Sequence, residues 1–500
     1  MNARFIFLPL VISGILIARP ARANRLERLL EERDCNRCSI RDTDLRDGYF
    51  RDSELRQSNF RGSDLRDADF RGSNLNRANL RNADLRRTDL RGADLRNADL
   101  RLSNLQGTLV DRERLPPKWQ TVWDIVNDPQ VARDLSGFDL SDAHLERSIL
   151  DGADLTEANL RRSNLRNIRL REAQLSEVDL RDANLSMSYL SEANLVGADL
   201  RDANLSWSNT IDAVLSGGDL RDADLHRADL RGAVLNCWEA EDESPQCTDL
   251  RGANLFAADL RSADLQGADL RNADLRQAML ASATLREADL SNLDLRGVNL
   301  RGADLTDADL TDADLSLSDL RNADLTRADL RNANLVGVNW SDSSLTLRDA
   351  NLSGVNLLGA NLSGVDLRGS HLRGSQLQRV RFEGTNLEAA DLRSANLRGA
   401  QLLQANLREA NLRNANLREA DLSGGILTGA NLKGADLRQA VLVNADLSDA
   451  NLEGIDLAEA NLEGAILDLD EIEETRFCGA ILPNGGLALP CDIRSRGENW

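Results

Sequence analysis

The sequence predicts an all-β solenoid, in which the chain winds as a continuous coil around a narrow core. Three observations predict it. Leucine, or now and then phenylalanine, recurs at every fifth position, as in the run from Leu65 to Leu100, and we call each such position a rung. A small residue lies two positions before each rung and Asp or Asn lies one before it, as Ala83 and Asp84 precede Leu85.

A period of five excludes the two common regular structures. On an α-helix a step of five residues turns by about 140°, so the leucines would spiral around the helix and face water. On a flat strand they would alternate between the two faces. A chain that turns a corner in every pentad keeps every rung inside, together with the small residue two before it. Asp or Asn before the rung, and Arg after it, then point outward.

The pentad A(D/N)LxX repeats from Ile40 to Leu482 with few breaks, and in this it resembles the pentapeptide repeat family. That resemblance implies a right-handed quadrilateral β-helix with four pentads per coil. We expect a short N-terminal capping helix and one helical insert to complete the fold.

Composition and charge exclude several functions. Hydrophobic residues make up 41% of the chain and aromatic residues only 3%, which suits a narrow core without an enclosed active site. The formal net charge of -21 argues against binding to nucleic acid or to an anionic membrane. His144, His226 and His371 are far apart and outward, and no catalytic motif occurs. The sequence therefore predicts no enzyme, no cofactor and no metal site.

Residues 1–23 have the pattern of a secretory signal peptide. Arg4 precedes an apolar stretch from Phe5 to Ile17, and an Ala-x-Ala site ends at Ala23, after which we expect cleavage. An uncleaved membrane anchor is the alternative, but about 13 apolar residues fall short of the roughly 20 that span a bilayer. The mature protein is expected in a periplasm, a thylakoid lumen or outside the cell, without a membrane segment.

The six cysteines support export because they fall into three close pairs. The pairs are Cys35 with Cys38, Cys237 with Cys247, and Cys478 with Cys491. In an oxidising compartment each pair is expected to form a local disulfide. The first pair is C-x-x-C, which in other proteins is redox-active or half of a zinc site, but no second C-x-x-C or nearby His accompanies it.

Two breaks in the ladder belong to the first part of the chain. Residues 24–39 are expected to cap the solenoid segment 40–110, with an amphipathic helix from Asn24 to Arg37. Residues 111–134 form an insert in which Trp119, Val122, Trp123 and Val126 follow helical spacing. The insert either lies on the flank of the solenoid or joins two segments; the functional alternative is that Trp119 and Trp123 dock a partner.

The second solenoid segment, 135–482, has two further breaks before a predicted tail at 483–500. Residues 237–247 form a loop closed by Cys237 and Cys247, with Trp238 and four acidic residues. It is either a solvated loop, an interaction surface around Trp238, or a weak cation site. The rungs shift by two residues after Trp340, which predicts a corner loop at 341–348.

These features favour an exported, non-catalytic repeat protein that serves as a scaffold or as a binding surface for a protein partner, which the sequence does not specify. The family resemblance supplies an alternative, a DNA-mimicking inhibitor or protector of a type II topoisomerase. Export opposes the alternative, and so does the Arg that follows many Asp residues and interrupts the negative face that a DNA mimic needs.

Overall fold

The computed structural model describes residues 29–128, 133–238, 244–340, 345–467 and 475–489. The chain divides into two compact units, Met1–Ser208 (unit 1) and Asn209–Trp500 (unit 2), and each is described by itself. The predicted signal peptide and its cleavage site after Ala23 lie outside the described residues. Among the described residues, no helix has the length and hydropathy that crossing a membrane requires.

Both units are built from coils of four pentads. In unit 1, parallel bridges join Asp44 to Asp64 and Asp64 to Asp84, and each step is twenty residues long. In unit 2, Asp366 bridges Asn386 with the same spacing. Because a pentad turns one corner, a repeat of twenty residues gives a coil with four sides, each side stacked on the equivalent side of the next coil.

The core of each coil consists of the rung and the small residue before it. Leu85 and Ala83 are 0% and 1% exposed, as the period of five predicts. Burying one leucine side chain stabilises the fold by about 1.5 to 3 kcal/mol. Phenylalanines replace leucine in the first coils of unit 1, where the rings of Phe50 and Phe70 lie 4.7 Å apart.

In the pentad of Leu65 every backbone N–H group has a partner, and this explains the Asp or Asn before the rung. Four of the five donate to carbonyl oxygens. In the pentad of Leu65 the acceptors are the carbonyls of Gly48, Leu65, Asp84 and Arg86, at 2.8 to 3.2 Å. The fifth, the N–H of Arg66, donates to Asp64 Oδ1 at 3.2 Å. A side-chain oxygen at this position is therefore part of the backbone hydrogen bonding, and Asn provides it as well as Asp.

The corners are β-turns whose second central residue has a positive φ. The carbonyl of Leu65 accepts the N–H of Ala68, and between them Asp67 has φ 61°. A positive φ at this position is the mark of a type II turn. The position two after the rung therefore carries Gly, Asn or Asp in many pentads, such as Gly92 with φ 78°.

The N-terminal helix ends earlier than the sequence predicts. Residues 29–31 are helical, Arg33 has φ 55°, and Asp34 already bridges Glu54. The prediction of a helix to Arg37 within a cap to residue 39 is therefore wrong at its C-terminal end. A left-handed residue ends the helix, and Cys35 is completely buried at a rung position.

The insert of unit 1 contains a 3-10 turn at Arg112–Arg114 and the helix α1, Pro117–Asn127. A proline at the first helical position suits this start, because its missing N–H has no partner there anyway. Coil pairing resumes at Asp134, which bridges Asp154.

Two interruptions divide the coils of unit 2. The strands β1, Cys237–Trp238, and β2, Gln246–Cys247, pair antiparallel, and the coil sides around them, Asp219 and Asp249, are thirty residues apart. The loop is therefore an excursion of ten residues from one coil. Further on, Asp324 bridges Thr346 across twenty-two residues, so two additional residues precede Thr346.

The C-terminal end of the described chain is paired, not a loose tail. Ile481 and Leu487 form an antiparallel bridge, and the N–H of Ala488 donates to the carbonyl of Ala480 at 2.7 Å. Gly485, with φ 78°, lies in the turn between them. The prediction of a tail from residue 483 is thus wrong for residues 483–489, because this hairpin pairs with an edge that would otherwise be open.

Candidate partner-binding surfaces

On many sides of the coils, Asp before the rung and Arg after it form a bidentate ion pair. Arg66 Nε and Nη2 donate to Asp64 Oδ1 and Oδ2 at 2.8 and 2.6 Å, and Arg66 Nε also lies 3.5 Å from Asp84 Oδ2 on the next coil. The hydrogen bonds from Arg66 lower the pKa of the Asp64 carboxyl. We call such stacked pairs paired columns.

One paired column of unit 2 contains Asp249 and Asp269, and the same side continues to Asp289, with each step twenty residues long. Arg271 Nε donates to Asp269 Oδ1 at 2.9 Å and lies 3.2 Å from Asp289 Oδ2. The guanidinium groups therefore lie between the carboxylates along the column. Carboxylates that are paired at this distance present little net charge to a partner. We therefore interpret these columns as ordinary solvent-exposed surface and not as binding sites.

One part of unit 1 departs from this pattern and exposes apolar side chains. Ile149, Arg169 and Tyr189 stack at the position before the rung, where Asp or Asn is usual. Met187 and Trp207 lie on the adjoining corner, each two residues after a rung. The aromatic corner, as we call it, consists of Ile149, Met187, Tyr189 and Trp207, which are 39%, 41%, 40% and 49% exposed.

Arginines frame the aromatic corner. Arg166 Nη2 lies 3.5 Å from Met187 Sδ, and the guanidinium of Arg171 lies 5.6 Å from the ring centroid of Tyr189. Tyr, Trp, Met and Arg are the residues that are enriched in the cores of protein interfaces, whereas Asp and Glu are depleted there. The composition of this corner is therefore that of a protein-binding surface.

A second surface that lacks the Asp–Arg pattern lies in unit 2, and its side chains are mainly amides and aliphatic residues instead of aromatic ones. Five stacked positions before the rung carry amides, and none of the positions directly before or after these rungs carries a carboxylate. The amides are Asn334, Asn356, Gln376, Asn396 and Asn416. Leu317, Val336 and Leu358 form an aliphatic row at one end of the same side, 73%, 51% and 61% exposed. We call the five amides and this row the neutral face.

A shallow groove crosses the neutral face. Asn356, Leu358, Gln376 and Gln378 are among its lining residues. Arg398 at its far end donates to Glu419 at 2.8 Å, so its charge is offset within the protein. Leu358 thus lies where the aliphatic row meets a groove that is lined by amides at this end and by Arg379, Arg398 and Glu419 at the other.

The tryptophans of the insert are packed against unit 1. Trp119 is 7% exposed, and Trp123 is half-buried with its Nε1 donating to the carbonyl of Thr108 at 2.9 Å. Val122 and Ile125 are buried with Trp119, so Ile125 takes the inward place that the sequence pattern gave to Val126. The indole of Trp123 therefore attaches α1 to a coil, and docking through these two tryptophans stays a prediction.

The three cysteine pairs differ in how much of each lies within the described residues. Cys35–Cys38 and Cys237–Cys247 are disulfides. Cys478 is also disulfide-bonded, while its predicted partner Cys491 lies outside the described residues.

The loop at 237–247 is held close to its neighbouring coils. Trp238 is half-buried beside Gly217, and Cys237 Sγ lies against Gly267 in the adjacent coil. The four acidic residues of the loop lie outside the described residues, so the cation site proposed there is not described. Among the described residues, no group of three His, Cys, Asp or Glu side chains is arranged to hold a metal ion.

The three histidines occupy separate surroundings. Burial lowers the pKa of His144 in unit 1, while in unit 2 His226 Nδ1 lies 3.1 Å from Asp224 Oδ1. His371 is stacked between Asn351 and Asp391. Each histidine is thus one member of an outward column.

Neither departing surface was found from the sequence, although the signal was present. The period of five predicts which residues are buried and which point outward. It does not predict which outward residues of successive coils are stacked on one another. Reading the chain in blocks of twenty aligns Ile149, Arg169 and Tyr189 as one column that lacks Asp and Asn. The neutral face requires the structure as well, because Asn334 and Asn356 are twenty-two residues apart.

The pentapeptide repeats family model matches most of the chain. The matched residues are 34–72, 68–107, 134–167, 168–206, 198–236, 253–292, 283–322, 323–346, 347–384, 385–424 and 426–464. The chain belongs to the pentapeptide repeat family. No curated protein sequence matches it.

Solved structures of the same family resemble parts of the chain. HetL of the cyanobacterium Nostoc sp. strain PCC 7120, described as involved in heterocyst differentiation regulation, is 32% identical over 48% of this chain and 92% of its own, with a TM-score of 0.25. QnrB1, a plasmid-mediated fluoroquinolone resistance protein, is 17% identical over 46% and 91%, with a TM-score of 0.21. A protein of the Arabidopsis thaliana thylakoid lumen is 26% identical over 25% and 70%, with a TM-score of 0.10. These TM-scores are too low to support a functional argument.

Proposed function

We propose that this protein is an exported, non-catalytic member of the pentapeptide repeat family that holds a partner protein on the aromatic corner of unit 1. The proposal includes the right-handed coil that the family resemblance implies. The observation that carries it is the exposure of Met187, Tyr189 and Trp207 beside two arginines, in a chain whose other outward positions are dominated by Asp, Asn and Arg.

The chemistry of the aromatic corner suits a protein more than a small molecule or a nucleic acid. Tyr and Trp lose few rotatable bonds when they are fixed, and they supply a large contact area per residue. The corner is an exposed convex edge of the coils, not an enclosed cavity of the kind that surrounds a small ligand. The guanidiniums of Arg166 and Arg171 already lie on its apolar side chains and offer hydrogen-bond donors to a partner at its edge.

A non-catalytic role agrees with the state of the carboxylates. A general acid or base works best with a pKa near the working pH. In the paired columns the hydrogen bond from Arg lowers the pKa of Asp, as it does for Asp64 and Asp94. These groups stay ionised and paired, so they stabilise the coil instead of moving protons.

Export is supported by the two described disulfides. Cys35–Cys38 closes the first coil and Cys237–Cys247 closes the loop, and no cysteine among the described residues is free. Disulfides persist in oxidising compartments and are rare in the cytosol. A periplasm, a thylakoid lumen or the outside of the cell is the proposed location, reached through cleavage after Ala23.

The paired columns argue against the alternative of a DNA mimic. A protein that imitates duplex DNA must present a continuous negative face. In the paired columns an Arg lies between successive carboxylates, as Arg271 lies between Asp269 and Asp289. The neutral face and the aromatic corner present no line of carboxylates.

Co-purification from the native compartment tests the binding proposal. After mild crosslinking, the double variant Y189S/W207S is expected to recover at least about tenfold less of the partner than the unchanged protein, because two anchors of the corner are lost. The variant M279S/I426S, which changes two exposed apolar residues of unit 2, is the matched control and should recover the normal amount. Equal recovery with all three proteins would overturn the proposal for this corner.

Export is tested separately by cell fractionation with thiol alkylation. We expect the protein in the exported fraction, with its N-terminus at residue 24 and its cysteines resistant to alkylation until a reductant is added. A cytoplasmic protein with alkylated cysteines contradicts export.

A further inference from the structure

We propose that the shallow groove of unit 2 binds an acidic polysaccharide, a chain of sugars that carry carboxylates. The arginines of the groove bind the carboxylates and its amides bind the hydroxyl groups. The proposal does not depend on the partner of unit 1, because it uses different residues on a different unit.

The first step concerns the charge at the far end of the groove. Arg379, Arg398 and Glu419 line this end, and Arg418 lies one coil beyond Arg398. The hydrogen bond that Arg398 donates to Glu419, at 2.8 Å, is the main cause that lowers the pKa of this carboxyl. The positive charges of Arg418 and Arg379 lower it further. Three guanidinium groups therefore surround a single carboxylate, and this end of the groove attracts a second anion.

The adjoining side of unit 2 adds positive charge. Arg373, Arg393 and Arg413 lie on it in three successive coils. Arg393 Nε donates to Asp391 Oδ1 at 2.7 Å, whereas Arg373 and Arg413 are exposed and form no ion pair with another described residue. From residue 371 to residue 419 these two sides carry six arginines and two carboxylates, in a chain whose net charge is -21. The local potential is therefore opposite in sign to that of the whole protein.

The second step concerns the amides, whose oxygens are already used within the protein. Asn396 Oδ1 accepts the N–H of Arg398 at 3.4 Å and Nδ2 of Asn416 at 3.1 Å. Gln376 Oε1 accepts Nε2 of Gln378 at 2.8 Å. The polar groups that remain for a ligand are therefore mainly N–H donors. A surface of donors selects a ligand rich in acceptors, such as carboxylate and hydroxyl oxygens.

The third step concerns Arg418. Its Nε is buried and has no hydrogen-bond partner among the described residues, and its side chain forms no ion pair with them. Packing therefore holds the base of this guanidinium in place. A group that is already fixed loses less conformational freedom when an anion binds, so the cost of binding is smaller there than at a fully exposed arginine.

The spacing of the coils favours a sugar chain over an acidic peptide. Successive coils are about 4.8 Å apart, which is close to the length of one sugar residue in an extended polysaccharide. On an extended peptide, side chains of one face recur at about 6.6 to 6.8 Å and lose register with the coils. Gln376 and Asn396 are one coil apart, as are Arg398 and Arg418, so consecutive sugars meet equivalent groups. Leu358, at the near end, offers an apolar contact to the C–H groups of a sugar ring.

Isothermal titration calorimetry of the full mature protein with a short polygalacturonate tests the proposal, in a buffer that contains a chelator of divalent cations. We expect binding whose affinity falls as salt is added, because the contacts are ionic. The methyl-esterified polymer keeps its hydroxyl groups but loses its charges, and it should bind at least about tenfold more weakly. If polygalacturonate does not bind at low salt, or if the two polymers bind equally, the proposal is wrong.

Two matched variants locate the site. R379Q/R418Q should bind polygalacturonate at least about tenfold more weakly than the unchanged protein. R251Q/R331Q removes the same charge from ion pairs on paired columns and should bind within about twofold of the unchanged protein. Far-UV circular dichroism checks that both variants are folded. Equal affinities of the two variants would show that net charge and not the groove determines binding, and would overturn the proposal.

Two other polyanions test the class of ligand. Polyglutamate with the same number of carboxylates, and a short DNA duplex, should each bind at least about tenfold more weakly than polygalacturonate. If polyglutamate binds as tightly, the groove serves an acidic protein segment and the assignment to a polysaccharide is wrong. If the duplex binds as tightly, the groove recognises negative charge alone and the assignment is also wrong.

Discussion

The paired columns and the neutral face lie on coils with the same buried core but carry different outward residues. Leu270 and Leu357 are equally buried rungs, at 1% and 2% exposure. Beside Leu270, Asp269 and Arg271 form an ion pair, whereas Leu357 lies between Asn356 and the exposed Leu358. Asn356 Oδ1 accepts the N–H of Leu358 at 3.1 Å, as Asp does in the paired columns. The comparison shows that Asn serves as the acceptor as well as Asp does, so the charge at this position is not required and the outward residues are free to specify contacts.

The largest effect is expected from two neighbouring leucines of unit 2. Leu357→Ala removes a buried rung and should lower the free energy of unfolding of the surrounding coils by about 2 to 5 kcal/mol, because it leaves a cavity. Leu358→Ala, one residue further, should change it by less than about 0.5 kcal/mol. Native-state hydrogen exchange at the amides of the adjacent coils measures both. Similar decreases in the free energy of unfolding for the two variants would contradict the assignment of Leu357 to the core and Leu358 to the surface.

A smaller effect is expected at the amide before the same rung. Asn356→Ala removes the acceptor of the Leu358 N–H and should cost about 0.5 to 1.5 kcal/mol. Asn356→Asp keeps an acceptor and should cost less than Asn356→Ala. The same hydrogen-exchange experiment compares them. If both variants are equally unstable, the hydrogen bond is not the reason for Asp or Asn at this position.

Acid should affect the paired columns and leave the amide columns unchanged. In unit 1 the hydrogen bond from Arg96 lowers the pKa of Asp94 to about 2, below the value of about 3.9 in an unfolded chain. A lowered pKa in the folded state means that the pair stabilises fully above pH 3.9 and that this contribution disappears as the pH falls through about 2. An NMR titration of Asp94 should show the low midpoint.

The matched variant for the acid experiment is Arg96→Gln, in which the Asp94 midpoint should rise toward its ordinary value. Thermal unfolding of the unchanged protein between pH 5 and 2 should show the accompanying loss of stability. A midpoint near 4 in both proteins contradicts the ion pair as the cause.

The smallest effect is expected from one exposed pair. Arg271→Gln should change the free energy of unfolding by about 0 to 1 kcal/mol, and added salt should reduce even that. Denaturant unfolding at low and high salt measures the change. If Arg271→Gln lowered the free energy of unfolding as much as Leu357→Ala does, the ion pairs would stabilise the fold as strongly as the buried leucines. That result would contradict the view that the outward residues are not required for the fold.

The core of the coils was predictable from the sequence because leucine repeats at every fifth position. The same period failed at the ends. Arg33 adopts a left-handed conformation that stops the predicted helix, and the chain reverses at Gly485 to pair Leu487 with Ile481, which depends on contacts between segments that the pattern does not relate.

The candidate surfaces were harder to predict for a physical reason. Whether an outward residue belongs to a binding surface depends on the residues stacked above and below it. These neighbours are twenty or twenty-two positions away in the sequence. The shift of two residues after Trp340 moves Leu358 into line with Val336 on the neutral face, which no count from a single pentad reveals. Trp119 and Trp123 attracted notice as aromatic residues in a break, yet Trp207 in an unbroken pentad is far more exposed than Trp119.

A photocrosslinking scan in the native compartment tests most directly whether contacts concentrate where the paired columns are absent. A photoreactive residue is placed, one position at a time, at Tyr189 and Trp207, at Val336 and Leu358, and at Arg271 and Arg393 of the paired columns. We expect crosslinks to a partner from the first pair, yields above background from the second, and background yields from the third. Equal yields from all six positions would contradict the conclusion that the outward residues which depart from Asp and Arg carry the function.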